Sequence, residues 1–235
     1  MLFPRPLRRA TLLRRYKRFL ADLRFDDGAE ATAHCANPGS MLGLAEPGSE
    51  AWAMAAEPGR TLAWSWELVR MAGGALVGLN TGRANGLVAE ALAAGVIAPL
   101  AGYPQARREV KAGGSRLDFL LEAADRPPCF VEVKSVTLLR RPGLAEFPDS
   151  RTERGARHLD ELAALAQGGS RAVLLFLVQR GDATAVAPAA DIDPAYAAAL
   201  GRALRAGVEV LCYACDVRCE GIAVAAPVPL VQVPV

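Results

Sequence analysis

Two short stretches of this chain hold residue types that can do chemistry together. In Arg116-Leu117-Asp118-Phe119-Leu120-Leu121, strand alternation sends Leu117, Phe119 and Leu121 to one face and Asp118 to the other. In Phe130-Val131-Glu132-Val133-Lys134, Val131 and Val133 point one way, while Glu132 and Lys134 share the opposite face. If the two strands pair through the short connection Asp125 to Pro128, Asp118 comes beside Glu132, with an ammonium next to both. Adjacent carboxylates repel unless a cation lies between them, and hard oxygen ligands with positions open to water and phosphate suit Mg²⁺, or Mn²⁺ as a substitute. Such an ion polarises a phosphate oxygen and acidifies a bound water, while Lys134 assists that water or offsets transition-state charge. That is the chemistry of phosphodiester hydrolysis. Glu90, at the margin of a preceding helical stripe, is a candidate further ligand. The competing reading is a surface ion pair between Glu132 and Lys134, worth little when exposed. The apolar setting of Phe130, Val131 and Val133 weighs against it, because charges in interior strands seldom lack a task.

Residues able to bind an anionic polymer lie elsewhere. The net charge is only +2, but Arg5, Arg8, Arg9, Arg14, Arg15, Lys17, Arg18 and Arg24 are opposed nearby only by Asp22. Tyr16 and Phe19 interleave with them, as suits a surface that tracks a phosphate backbone and stacks bases; a solvated N-terminus is the plainer alternative. In Asn37-Pro38-Gly39-Ser40, backbone amides can cradle an anion, although the same residues serve ordinary turns. Arg154, His158 and Glu161 recur at helical spacing opposite Leu159, Leu162 and Ala166, so they either rim the site or form a solvated face.

The segments that must position these groups fall into two sets. Runs at Leu12 to Leu23, Ala29 to His34, Ala51 to Ala55, Thr61 to Met71 and Ala75 to Leu79, separated by turn-rich pieces, predict a small β-barrel, for which an OB-like closure is one solution. A boundary near residue 80 separates domains 1–80 and 81–235. Beyond it, Asn85 is placed to cap a helix carrying Leu87, Val88, Ala91 and Leu92. A strand meander, Gln105 to Lys111, Arg116 to Glu122 and Cys129 to Lys134, follows. Then come a helix from Thr152 to Gln167, a buried strand from Ala172 to Val178, a helix from Pro194 to Ala206 and a strand from Val208 to Cys215. The Pro-rich end, Ala226 to Val235, reads as strand or tail. The second domain is therefore mixed α/β, with helices covering a central sheet.

Composition narrows the setting. The longest clean apolar run, Ala172 to Val178, is far short of the roughly 20 residues of a spanning helix, so no membrane partner is expected. Met1-Leu2-Phe3-Pro4-Arg5 lacks the pattern of a secretory signal, and five cysteines are an odd set for a disulfide framework; both fit the cytoplasm. Cys212, Cys215 and Cys219 invite a metal reading, but on a strand the first two face opposite ways and no fourth ligand stands near. Trp52, Trp64 and Trp66 suit core packing better than base stacking.

Several separated motifs, in order, resemble the sugar fermentation stimulation protein A (SfsA) family: Arg14 to Asp22, His34 to Met41, Ser115 to Leu120, Val131 to Thr137, and Phe147-Pro148-Asp149 through Arg154-Gly155 to His158-Leu159. The resemblance implies an N-terminal OB-like β-barrel and a C-terminal PD-(D/E)XK restriction-endonuclease-like α/β domain. It also implies binding of DNA without marked sequence preference and a part in regulating sugar (maltose) metabolism. By position, the superfamily pattern falls on Glu90, Asp118, Glu132 and Lys134, with Leu117 where the pattern has proline. Two functions follow from these readings. One is a Mg²⁺-dependent, sequence-tolerant DNA nuclease with Asp118, Glu132 and Lys134 as its catalytic residues and Asp118, Glu132 and Glu90 on the metal. DNA would then be held by Arg14, Arg15, Lys17, Arg18, Asn37, Ser40, Arg154 and His158. The other is a non-enzymatic DNA-binding regulator that keeps the nuclease-like architecture.

Overall fold

The computed structural model describes residues 1–231, so the last four residues of the Pro-rich end lie outside the description. The first domain uses strands β1 (Leu7–Tyr16), β2 (Leu20–Phe25), β3 (Glu30–His34), β4 (Glu50–Ala55) and β5 (Trp64–Arg70). They pair in the order β3-β2-β1-β4-β5, and a parallel β3–β5 pairing closes the ring, giving an OB barrel without a free edge. A register shift between Leu12 and Arg14 bends β1, which pairs with β4 along its first half and with β2 along its second. Leu12, Leu23, Met41, Leu44 and Trp66 fill the interior. The run expected from Leu12 to Leu23 is therefore two strands. The turn between them is built by Lys17 and Arg18 at φ 48° and 62°, without the glycine, asparagine or proline that normally announces a turn.

Strand β6 (Leu76–Gly78) leaves the barrel, and a short 3₁₀ turn at Thr81–Arg83 leads into helix α1 (Ala84–Ala93). The capping side chain here is Asn80, whose Oδ1 accepts the Gly82 amide at 3.0 Å. Asn85, expected as the cap, lies inside the first turn of α1. The buried Glu67 carboxylate ties the junction together, accepting from Ser65 Oγ (2.7 Å), Asn80 Nδ2 (3.2 Å) and Arg83 Nε (2.6 Å).

The second domain is built on a sheet of β7 (Gln105–Ala112), β8 (Ser115–Ala123), β9 (Arg126–Val136), β12 (Arg171–Val178), β14 (Glu209–Val217) and β15 (Ile222–Pro227), in the order β15-β14-β12-β9-β8-β7. Its middle strands β9, β12 and β14 run parallel, so both faces need cover, which explains why β12 reads as an unbroken apolar run. Helices α2 (Glu153–Gln167) and α3 (Pro194–Arg205) cover one face. Helix α1 and the outer surface of the barrel, through Trp52 and Leu68, cover the other. Trp66 sits inside the barrel, Trp64 packs against Phe25, and Cys212 and Cys215 enter opposite cores, as strand alternation requires.

Three strands were not foreseen, and the Pro-rich end, read as strand or tail, begins inside a fourth. Strands β10 (Leu138–Arg141), β11 (Leu144–Phe147) and β13 (Ala185–Pro188) form a separate three-stranded sheet, and β15 takes the start of the Pro-rich end. The expected four-residue β8–β9 connection shortens to a tight turn at Ala124-Asp125, with Arg126 to Pro128 already in β9. The N-terminal strap crosses the boundary at residue 80: Leu2 bridges to Gly221, and the Phe3 amide donates to the Glu220 carbonyl at 2.9 Å. Replacing Trp66 by alanine is expected to cost about 3–5 kcal/mol through the cavity it leaves in the barrel. Urea unfolding followed by tyrosine and tryptophan fluorescence checks this.

Candidate active site

Asp118 sits where strand alternation fails. Leu117 packs under α2 with Leu159 and Leu162, whereas Phe119 and Leu121 enter the opposite core with Cys129 and Val131. The expected common face for Leu117, Phe119 and Leu121 is thus broken at Asp118. Across from it on β7, Glu109 adopts φ 56° between the regular pairs Arg108–Phe119 and Val110–Leu117. Such irregularities re-aim a side chain, and here the Asp118 carboxylate is turned toward β9. Its Oδ2 accepts the Val133 amide at 2.8 Å and its Oδ1 accepts Asn85 Nδ2 of α1 at 2.7 Å.

On β9 the alternation holds. Val131 and Val133 enter the core beneath α1, and Glu132 and Lys134 project together from the other face. Glu132 is 3 % exposed. Its Oε1 accepts Lys134 Nζ at 2.6 Å and meets His158 Nδ1 of α2 in a close contact. Arg154 Nε donates to His158 Nε2 at 3.3 Å, which places the imidazole proton on Nδ1, facing the carboxylate. The second oxygen, Oε2, is buried without a hydrogen-bond partner.

The two carboxylates are pushed apart in acidity. Burial and the Glu132 charge raise Asp118 above the ordinary aspartate value, against the opposing pull of the Val133 amide, Asn85 and Lys134. Burial also works to raise Glu132, but the His158 hydrogen bond and Lys134 outweigh it and leave Glu132 below the ordinary glutamate value. A Glu132 held below its ordinary value with one unpartnered oxygen, next to a carboxyl group it repels, is a pair of oxygen donors that could hold a hard cation. Among the described residues no group of three or more His, Cys, Asp or Glu side chains is arranged to hold a metal. Two carboxylates, with waters and substrate oxygens completing the shell, match the habit of Mg²⁺.

These residues form the floor of a cleft of about 460 Å³ between the domains. Arg18 and Asn37 to Gly39 of the barrel make one wall; Phe147 to Thr152 and the α2 residues Arg154, Gly155 and His158 make another. The sequence-predicted residues fare unequally. Asp118, Glu132, Lys134, Arg154 and His158 converge, and His158 lies at the centre of the site rather than its rim. Glu90 does not converge: its side chain is 55 % exposed and pairs with the Met1 ammonium at 2.7 Å. Five residues along a helix rotate a side chain by about 140°, so α1 presents Asn85 to the site and Glu90 elsewhere.

The proposed DNA-binding residues also divide. Arg14 pairs with Asp22 at 2.7 Å on the barrel exterior. Arg15 is an internal tie, donating to the carbonyls of Arg18, Asn37, Gly39 and Ser40 at 2.7–3.2 Å. Asn37 is 4 % exposed and spends its Oδ1 on the Gly39 amide, and Ser40 Oγ donates to the Asp149 carbonyl at 2.6 Å, so neither side chain is a free anion ligand. Lys17 is exposed and Arg18 borders the cleft. Glu161 turns away to accept the Gly114 amide. Sequence reasoning missed Asn85, Arg151 and Arg157. Arg151, just before α2, borders the cleft with Arg154, Arg157 is exposed three residues further along α2 where the helical count would have found it, and among the described residues none of the three forms an ion pair.

Comparisons with known proteins agree with this architecture. The family described as the SfsA N-terminal OB domain matches residues 13–79, and the sugar fermentation stimulation protein RE domain matches residues 82–221. A sugar fermentation stimulation protein homolog of Paramagnetospirillum magneticum is 56 % identical over 98 % of both chains, and one of Azorhizobium caulinodans is 53 % identical over 98 % of this chain and 99 % of its own. A solved structure of Pyrococcus furiosus SfsA in complex with Ca²⁺ is 27 % identical, with a TM-score of 0.88 over 98 % of this chain and 97 % of that one.

The acidity shifts set a test in the metal-free protein. A depressed Glu132 contributes stability above the ordinary carboxylate range, and that contribution is lost as pH falls through its lowered value. A raised Asp118 acts in the opposite sense, imposing a penalty that grows as pH rises through the ordinary range. His158→Ala removes a donor to Glu132 and is expected to cost about 1.5–3 kcal/mol near neutrality. In urea unfolding at a series of pH values, the difference from wild type should narrow as Glu132 becomes protonated.

Proposed function

This chain belongs to the sugar fermentation stimulation protein (SfsA) family, and on that premise we propose that its interdomain cleft is a divalent-metal phosphodiesterase site acting on DNA without marked sequence preference. The observation that carries the proposal is the buried, partnerless Oε2 of an ionised Glu132 beside Asp118. Asp118 and Glu132 would hold Mg²⁺ or Mn²⁺, and the Ca²⁺ bound by the Pyrococcus furiosus relative is a hard cation of the same oxygen-seeking kind. When bound, such an ion polarises a phosphate oxygen and lowers the pKa of a water.

The remaining work falls to the chain itself. Asn85 and the Val133 amide fix the Asp118 carboxylate, and His158, held by Arg154, fixes Glu132 through Oε1, leaving Oε2 without a hydrogen-bond partner. Lys134, bonded to Glu132 Oε1, would orient the attacking water and offset charge in the transition state. Arg18 of the barrel, Arg151 before α2 and Arg154 on α2 border the cleft, and the exposed Lys17 and Arg157 lie next to them in the chain, so together they would supply cations for the phosphate backbone. The protein is proposed to act in the cytoplasm, the compartment that suits its five free thiols; no helix among the described residues is long and apolar enough to cross a membrane.

Purified protein incubated with DNA and Mg²⁺ or Mn²⁺ should release cleaved products, and Asp118→Ala and Glu132→Ala should lower the rate at least about a hundredfold. Equal cleavage by wild type and both variants would trace the activity to a contaminant, and intact DNA throughout would leave a DNA-binding regulator as the reading. The same cations should raise the wild-type Tm by mass action and leave Asp118→Ala unmoved. Replacing Arg151, Arg154 and Arg157 together by alanine should flatten the slope of log affinity against log salt by about 0.9 for each phosphate that is no longer neutralised; an unchanged slope removes that row from the interface.

A further inference from the structure

The barrel loop over the cleft is anchored to the second domain at both ends. At one end, the Ala36 carbonyl accepts both the amide and the hydroxyl of Thr81 at 3.0 Å. At the other, Ser40 Oγ donates to the Asp149 carbonyl at 2.6 Å and the Met41 amide donates to Asp149 Oδ2 at 3.0 Å. Between these anchors, Asn37, Pro38 and Gly39 face the cavity whose floor carries Asp118, Glu132 and Lys134. The loop is stiffened from behind by Arg15, which donates to the Asn37, Gly39 and Ser40 carbonyls, and by Arg18, which donates to the Pro38 carbonyl at 2.7 Å. Gly39 is required where it stands, because a Cβ there would collide with the Asp149 carboxylate.

A segment fixed at both ends above a catalytic floor is a bar. The whole cleft that it borders, about 460 Å³, is of the order of a pocket for one drug-sized molecule, about 300–1,000 Å³. A B-form duplex, whose major groove alone is about 12 Å wide between two backbones, does not fit under such a bar without breaking an anchor. One strand with splayed bases does. A second observation points the same way. Next to the bar, Phe19 is 43 % exposed and stacks on His34 with ring centroids 6.4 Å apart. Arg18, which borders the cavity, lies 6.0 Å over the Phe19 ring. An exposed aromatic pair with a guanidinium alongside is a platform for unpaired bases, whose faces a duplex keeps hidden.

We infer that the cleft takes single-stranded DNA, as a free strand or an unpaired end, led beneath the Asn37–Gly39 bar to Asp118 and Glu132, and that the Ser40/Met41–Asp149 clasp excludes duplex. This rests on the phosphodiesterase reading of the same site, so binding and cleavage are measured separately. Fluorescence anisotropy in Ca²⁺ compares a labelled single strand, the same strand in a blunt duplex, and a duplex with an unpaired tail. The single strand and the tailed duplex should bind at least about tenfold more tightly than the blunt duplex. Asp149→Ala, which releases the Met41 amide, and Gly39→Ala, which forces the clasp apart, should each bring that ratio toward unity, with thermal melting to verify folding. Phe19→Ala should weaken single-strand binding about tenfold. Blunt duplex bound as tightly as single strand by wild type would overturn the inference, and so would a ratio unmoved in both folded clasp variants. Single-strand preference with no cleavage in Mg²⁺ or Mn²⁺ would sustain the strand selectivity while removing the phosphodiesterase reading.

Discussion

A negative charge on a buried carboxylate must be answered by something, and at Glu132 only one of two oxygens is answered by the protein. Lys134 and His158 converge on Oε1, which is enough to keep the group ionised, while Oε2 is left without a partner beside Asp118. Leaving a buried polar atom unpaired costs free energy, and on the proposed reading a bound cation would offset that cost at Oε2. The opposite acidity shifts of Asp118 and Glu132 follow from their surroundings, because burial and the Glu132 charge raise Asp118 while the His158 hydrogen bond and Lys134 hold Glu132 low.

The rest of the second domain can be read as the means of holding that imbalance in place. Strand β9 is central and parallel to β12, so Glu132 cannot move without disturbing the core on both faces. The break in alternation at Asp118, opposite the left-handed Glu109, turns the second carboxylate toward β9. Helix α2, docked on the sheet through Leu159 and Leu162, delivers His158 and borders the cleft with Arg154. A site supported from strand, helix and linker at once keeps its geometry better than one built on a single loop.

The OB barrel does more than lie alongside. Its outer surface closes one face of the sheet through Trp52 and Leu68, and its Asn37–Gly39 segment spans the cleft between Thr81 and Asp149. Arg15 shows how the barrel's positive charge is divided. A guanidinium that donates to four carbonyls is structural material, Arg18 shares its guanidinium with the Pro38 carbonyl, and Lys17, on the tight turn beside it, is exposed.

The order Leu117-Asp118-Phe119 and Val131-Glu132-Val133-Lys134 settled by itself that Glu132 and Lys134 share a face, because residues two apart on a strand must do so. Barrel, sheet and helices were legible for the same reason: periodicity is a local property of the chain. Folding alone decided the parts that depend on relative placement. Asn85 rather than Glu90 reaches Asp118, since the rotation of α1 against the sheet is set by packing and not by its own apolar stripe. His158 is buried against Glu132 rather than rimming the site, the turn at Lys17-Arg18 has no turn residue to announce it, and the β10-β11-β13 sheet joins short strands distant in sequence. Ser40, Met41 and Asp149 carry no sequence mark of their partnership, because hydrogen bonds between segments more than a hundred residues apart exist only once two domains have met.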